Sequence, residues 1–145
     1  MKFEIKTEAL ISAPVEVVWE TLVNFENYKN WNPFIYDVVG TVNIRDKVKI
    51  TLQDESKNKM SFKARILENE KNKEFRWIGK LWVAGLFDGE HSFVLEKISA
   101  NQTKLIHSEE FNGILVKPFL KTLQTKTKYN FERMNNALKL KLEQS

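Results

Sequence analysis

Apolar and polar residues alternate along most of this chain, and the period of the alternation changes twice. From Lys2 to Ile11, Phe3, Ile5 and Thr7 alternate with Lys2, Glu4 and Lys6, a period of two that predicts a strand. Ser12-Ala13-Pro14 interrupts it. Val15, Val18, Trp19 and Leu22 then recur at i, i+3, i+4 and i+7, one face of a short amphipathic helix. Proline suits a first helical turn because its missing N–H would be unpaired there in any case, and Glu16 suits the positive end of the dipole. Phe25 to Asn32 predicts a second short helix or helical turn, closed by Pro33, which pushes Asn32 out of the helical region.

The period is two again from Phe34 to Phe111. It predicts six strands, near Ile35–Val42, Lys47–Gln53, Met60–Leu67, Glu74–Leu81, Leu86–Glu96 and Thr103–Phe111, separated by short turn-forming or charged stretches. Links this short favour sequential antiparallel hairpins. One face of the sheet is apolar: Met60, Phe62, Ala64 and Ile66; then Phe75, Trp77, Gly79 and Leu81; then Phe87, Gly89, His91, Phe93 and Leu95. One dry face and one wet face call for a cover on one side only. The cover is the last segment, where Val116, Leu120, Leu123, Thr127, Phe131, Met134 and Leu138 keep a spacing of three or four. A helix from Val116 to Leu142 would be about 37 Å long, enough to cross a sheet.

Composition narrows the classes. At 145 residues, 42% hydrophobic and 29% charged, the chain predicts one globular domain spanning 1–145. The absence of cysteine excludes disulfides, thiolate metal sites and cysteine nucleophiles, and fits a reducing compartment. The first residues lack an apolar leader core, and no run of apolar residues is long enough to span a bilayer. The expectation is a cytoplasmic protein without stable membrane insertion. A net charge of +4 is too small to imply nucleic acid. The basic residues of the last helix, Lys117, Lys121, Lys126, Lys128, Arg133, Lys139 and Lys141, read as its solvated face. No feature specifies an oligomeric state.

The order strand, two short helices, six strands, long helix resembles the START/SRPBCC superfamily, the Bet v 1-like helix-grip fold. Ile11-Ser12-Ala13-Pro14-Val15-Glu16-Val17-Val18-Trp19 resembles its opening motif. So does the segment from Phe25 to Phe34, with Tyr28, Trp31, Asn32, Pro33 and Phe34. Phe87 to Phe93 and Glu109 to Gly113 resemble a bacterial SRPBCC-domain or polyketide cyclase-like branch. The resemblance implies an α+β fold, a seven-stranded curved antiparallel sheet wrapped around a long C-terminal helix. It also implies a hydrophobic pocket between them, in a scaffold reused for lipids, hormones, polyketides and chaperone contacts, so the fold alone does not settle the function.

Within such a pocket the two histidines carry the candidate chemistry. His91 is in phase with Phe87 and Phe93, and His107 and Glu109 are in phase with Leu105 and Phe111. A final hairpin turning near Ser99–Asn101 would set Phe93 opposite Leu105, His91 opposite His107 and Gly89 opposite Glu109. The resulting cluster is a satisfied internal hydrogen-bond network, a polar anchor for a ligand, or a general acid–base pair; two histidines and a carboxylate are also the minimum for an iron site. No serine-nucleophile or phosphate-binding motif is present.

The leading expectation is binding of a small hydrophobic or amphipathic molecule without a metal or cofactor. Its contact residues would be Trp31, Phe62, Phe75, Trp77, Phe87, His91, Phe93, His107, Glu109, Leu123, Thr127, Phe131 and Met134. The alternatives are a cyclase- or dehydratase-like enzyme using His91, His107 and Glu109, or a protein-interaction domain. The apolar hairpin Leu81–Phe87 would line the pocket mouth, meet a partner or pack against the long helix.

Overall fold

A computed structural model describes residues 1–81 and 85–144. Strand β1 (Lys2–Ile11) leads into helix α1 (Val15–Val23) and a 3-10 helix (Phe25–Asn30). Six strands follow: β2 (Ile35–Val39), β3 (Lys47–Gln53), β4 (Lys59–Glu70), β5 (Glu74–Leu81), β6 (Phe87–Ser99) and β7 (Gln102–Asn112). They form one antiparallel sheet in the order β1-β7-β6-β5-β4-β3-β2, so every strand after β2 pairs with its chain neighbour and β1 closes on β7. Register shifts in β2–β3, β4–β5 and β6–β7 bend the sheet, as bulges do.

The predicted faces are the observed ones. Val15, Val18, Trp19 and Leu22 of α1 are buried, as are Phe75, Trp77, Phe93, Leu95 and Leu105 of the sheet. Pro14 stands immediately before α1, and its carbonyl accepts from the N–H groups of Val17 and Val18. Tyr28 is fully buried, and its hydroxyl donates to the Leu22 carbonyl in the last turn of α1, tying the two short helices together.

The C-terminal helix begins later than its periodicity predicts. Residues 113–119 are turns, because Gly113 takes φ +133° and Pro118 has no N–H to donate. The helix then runs through α2 (Leu120–Thr122), a π-helical turn (Leu123–Thr127) and α3 (Lys128–Glu143). Thr125 Oγ1 donates to the Lys121 carbonyl within the π turn, a side-chain competitor of the ordinary backbone bond. Val116, Leu123, Phe131, Met134 and Leu138 still face the core, whereas Leu120 and Thr127 are only half-buried.

The last hairpin requires a correction. Phe93 lies opposite His107, His91 opposite Glu109, and Gly89 opposite Phe111. Each pairing is two residues from the expected one: the hairpin closes with Ser99 opposite Gln102, and a one-residue irregularity between Lys97 and Ser99 then sets Lys97 opposite Thr103. A displacement of two leaves every side chain on its face, so His91, His107 and Glu109 still point inward. Among the described residues, no helix is long and apolar enough to cross a membrane.

Candidate functional site

A cavity of about 310 Å³ lies between the sheet and the C-terminal helix. Its walls are apolar, built by Phe34 from the segment before β2, Leu52 of β3, Met60 and Phe62 of β4, Trp77 of β5, Phe87 of β6, Phe111 of β7 and Leu123 of the π turn. Gln53, Asp54, Asn58 and Lys59, at the β3–β4 turn, and Asn130 of α3 are its polar edge. Two inward positions on its wall carry no side chain. Gly79 and Gly89 are cross-strand partners and both line it. A Cβ at Gly79 would lie 2.6 Å from the Phe62 ring, and one at Gly89 would lie 2.2 Å from Glu109 Oε2. Glycine inside a strand marks such a close approach.

His91 and Glu109 are the imidazole and the carboxylate on the inner wall. His91 Nδ1 is 3.1 Å from Glu109 Oε1, and His91 Nε2 is 2.6 Å from His107 Nε2. His107 lies behind the wall, fully buried, with Phe131 stacked at 4.4 Å on its ring and Phe93 stacked at 4.6 Å. His91 stacks on Trp77 at 5.1 Å. His107 Nδ1 contacts Asn135 Oδ1 of α3 at 2.8 Å, and Asn135 Nδ2 donates to Thr7 Oγ1 of β1 at 2.8 Å. Thr7 Oγ1 in turn donates to the His107 carbonyl.

This chain determines its own protons. The single hydroxyl proton of Thr7 goes to the His107 carbonyl, so Thr7 Oγ1 accepts from Asn135, which must then offer its oxygen to His107. His107 therefore donates through Nδ1–H. Burial, with the neighbouring His91 adding to it, pushes His107 well below the ordinary imidazole value of 6.5, so the ring is neutral and its Nε2 is bare. His91 Nε2–H donates into that nitrogen. The contact between His91 Nδ1 and Glu109 Oε1 ends the chain at the cavity wall.

The groups are strung in a line rather than aimed at one point. Among the described residues, no three histidine, cysteine or acidic side chains are placed to hold a metal ion.

Of the residues expected to touch a ligand, Phe62, Trp77, Phe87, His91, Glu109, Leu123 and Thr127 line the cavity. Phe75, Phe93, His107, Phe131 and Met134 are fully buried behind it, and Trp31 packs half-buried on Tyr28 at 5.3 Å. Strand alternation selects a face but not a depth. Val48, Ile50, Ala64 and Ile66 of β3 and β4 are core, whereas Leu52, Met60 and Phe62 on the same two strands border the hollow.

Leu52, Met60, Gly79, Gly89 and Phe111 complete the wall, and the signal available for them was a pair of inward glycines on adjacent strands. Asn135 and Thr7 complete the polar chain, and both sit at core-facing positions of their elements. The apolar hairpin lies partly outside the described residues, at 82–84. Its described end is held by the Ile114 and Leu115 N–H groups, which donate to the Gly85 and Leu86 carbonyls, while the polar edge of the cavity is at the β3–β4 turn.

The sequence profile of the family described as polyketide cyclase/dehydrase and lipid transport matches residues 2–143. The chain belongs to this family. As a polyketide cyclase/dehydrase family member it has the START-like, helix-grip architecture that its motifs resemble. The Zhui aromatase/cyclase from Streptomyces sp. R1128 superposes with a TM-score of 0.77 at 15% identity, over 99% of this chain and 95% of that one. A START superfamily protein from Mycobacterium smegmatis gives 0.73 at 17% identity, over 97% of each chain. Ara h 8.0201 gives 0.66 at 13% identity, over 95% of this chain and 98% of that one. At these identities the likeness shows the fold. No curated protein matches the family member in sequence.

Proposed function

We propose that this protein binds one small, mainly apolar molecule in the cavity between its sheet and C-terminal helix. The observation that carries this reading is an apolar hollow of about 310 Å³ with the Glu109–His91 pair on its wall, the composition of a small-molecule site. Phe62, Trp77, Phe87 and Leu123 supply contact area, and Glu109 with His91 orients the ligand's polar group. The family description and the likeness to START-type folds support it.

Titration with N-phenyl-1-naphthylamine tests it. Saturable one-to-one uptake is expected, and Leu52→Trp, which puts an indole where the ligand would lie, should abolish it. A folded wild-type protein that takes up no probe would defeat the reading. Native mass spectrometry of protein from its own host would then identify the resident molecule.

The contact of His91 with Glu109 at the cavity wall favours one second reading, a general acid–base enzyme of the cyclase or dehydratase type. It predicts deuterium exchange at the α-carbon of a cavity-sized aryl ketone in D2O, accelerated by wild type and not by His91→Phe. Equal exchange with both proteins excludes it for that substrate class.

A further inference from the structure

The hydrogen-bond chain also determines which kind of polar group the cavity wall can receive. His107 holds its proton on Nδ1 for Asn135, and His91 donates its Nε2 proton to His107. The remaining contact, His91 Nδ1 to Glu109 Oε1 at 3.1 Å, can be made in two ways. Either an imidazolium donates to a carboxylate, or a carboxylic acid donates from Oε1 to a neutral imidazole. In both, the proton lies between Nδ1 and Oε1, and Glu109 Oε2 carries none.

Glu109 Oε2 is therefore an acceptor in either state. It sits in the notch that Gly89 leaves open, on the cavity wall, and among the described residues no group donates to it. The Glu109 side chain is only 15% exposed, so an acceptor left empty there by a bound ligand is poorly solvated.

We propose that the cavity selects ligands that donate a hydrogen bond to Glu109 Oε2, such as alcohols, phenols or enols, over their methyl ethers and carboxylates. This rests on the cavity-binding reading above and sharpens it. An ether brings no proton and adds a methyl group where the oxygen should meet Oε2. A carboxylate brings a second acceptor, and a second negative charge when Glu109 is ionised.

The test is calorimetric titration at pH 7 with 2-naphthol, 2-methoxynaphthalene and 2-naphthoate, which share one ring system and differ in the polar group. 2-Naphthol should bind about tenfold or more tighter than the ether, the discrimination of one hydrogen bond to a poorly solvated acceptor, with the carboxylate weakest. Glu109→Gln should keep that order: the neutral His91 Nδ1 accepts from the amide N–H, and the amide oxygen still faces the cavity. Glu109→Met should erase it.

Equal affinity for 2-naphthol and its ether, tightest binding by 2-naphthoate, or a reversed order in Glu109→Gln would each overturn the proposal while leaving cavity binding intact. Failure of a folded protein to bind any of the three would instead remove the binding reading on which the proposal rests.

Discussion

Glu109 occupies the space where Gly89 would carry a side chain: a Cβ at Gly89 would stand 2.2 Å from Glu109 Oε2. The two residues are on neighbouring strands, and the absence of one side chain is what lets the other reach His91.

Gly89→Ala should therefore act on the site more than on the fold. The obstructing atom is the free end of a flexible side chain, so the carboxylate is expected to swing away at about 1–3 kcal/mol of overpacking cost. The signature is loss of the His91–Glu109 contact in imidazole 15N spectra, with the circular dichroism spectrum unchanged. Gly79→Ala should differ, because its Cβ meets the Phe62 ring at 2.6 Å and drives that ring into the cavity. It is expected to weaken probe uptake and leave the His91 resonances in place.

Thr7 and Asn135 should behave as one unit. Thr7→Val removes the acceptor for Asn135 and the donor to the His107 carbonyl, and Asn135→Leu removes the acceptor for His107 Nδ1–H. Each leaves a buried polar group unpaired, at about 1–3 kcal/mol. The double variant should lose clearly less than the sum of the two in urea unfolding, since the partners are shared. Strict additivity would contradict the chain.

The burial of His107 makes stability depend on pH with a definite sign. Its folded value lies well below 6.5, so below about pH 6.5 the unfolded chain binds a proton that the folded protein does not. The stabilisation is complete above that value and is lost as pH falls towards the folded value, at up to about 1.4 kcal/mol per pH unit. Denaturation of wild type and His107→Asn at pH 7.5 and pH 5.0 checks this. Wild type should lose more stability between the two conditions, and the 15N spectrum at pH 7.5 should show His107 as the Nδ1–H tautomer.

Tyr28→Phe should destabilise the fold by about 1–3 kcal/mol, because it strands the Leu22 carbonyl in the last turn of α1, inside the core. Burial also pushes the Tyr28 hydroxyl far above its ordinary value of 10. In an alkaline titration this tyrosine should ionise only as the protein unfolds.

Most of the architecture could be read from the chain because period and face are local properties. The inward sets of β5 and β6, the buried face of α1 and the long amphipathic cover all followed from spacing, and the motifs around Pro14 and Trp31 pointed to the family. The C-terminal helix starts later than its spacing predicts because Val116 keeps the helical spacing and stays buried although its backbone lies in a turn. The cavity lining was only partly legible, since Phe75 and Trp77 alternate alike but one is covered by α1 and the other borders a hollow.

The pattern of residues alone determined that His91, His107 and Glu109 share the inner face of the sheet. Only the tertiary structure decided which of them touch. An alternation of period two is unchanged by a slip of two, so the place where the β6–β7 hairpin closes could set Glu109 rather than His107 opposite His91 without trace in the sequence. The same holds for Asn135 and Thr7. They are 128 positions apart, and only the docking of α3 on β1 brings them together to set the protons of the site.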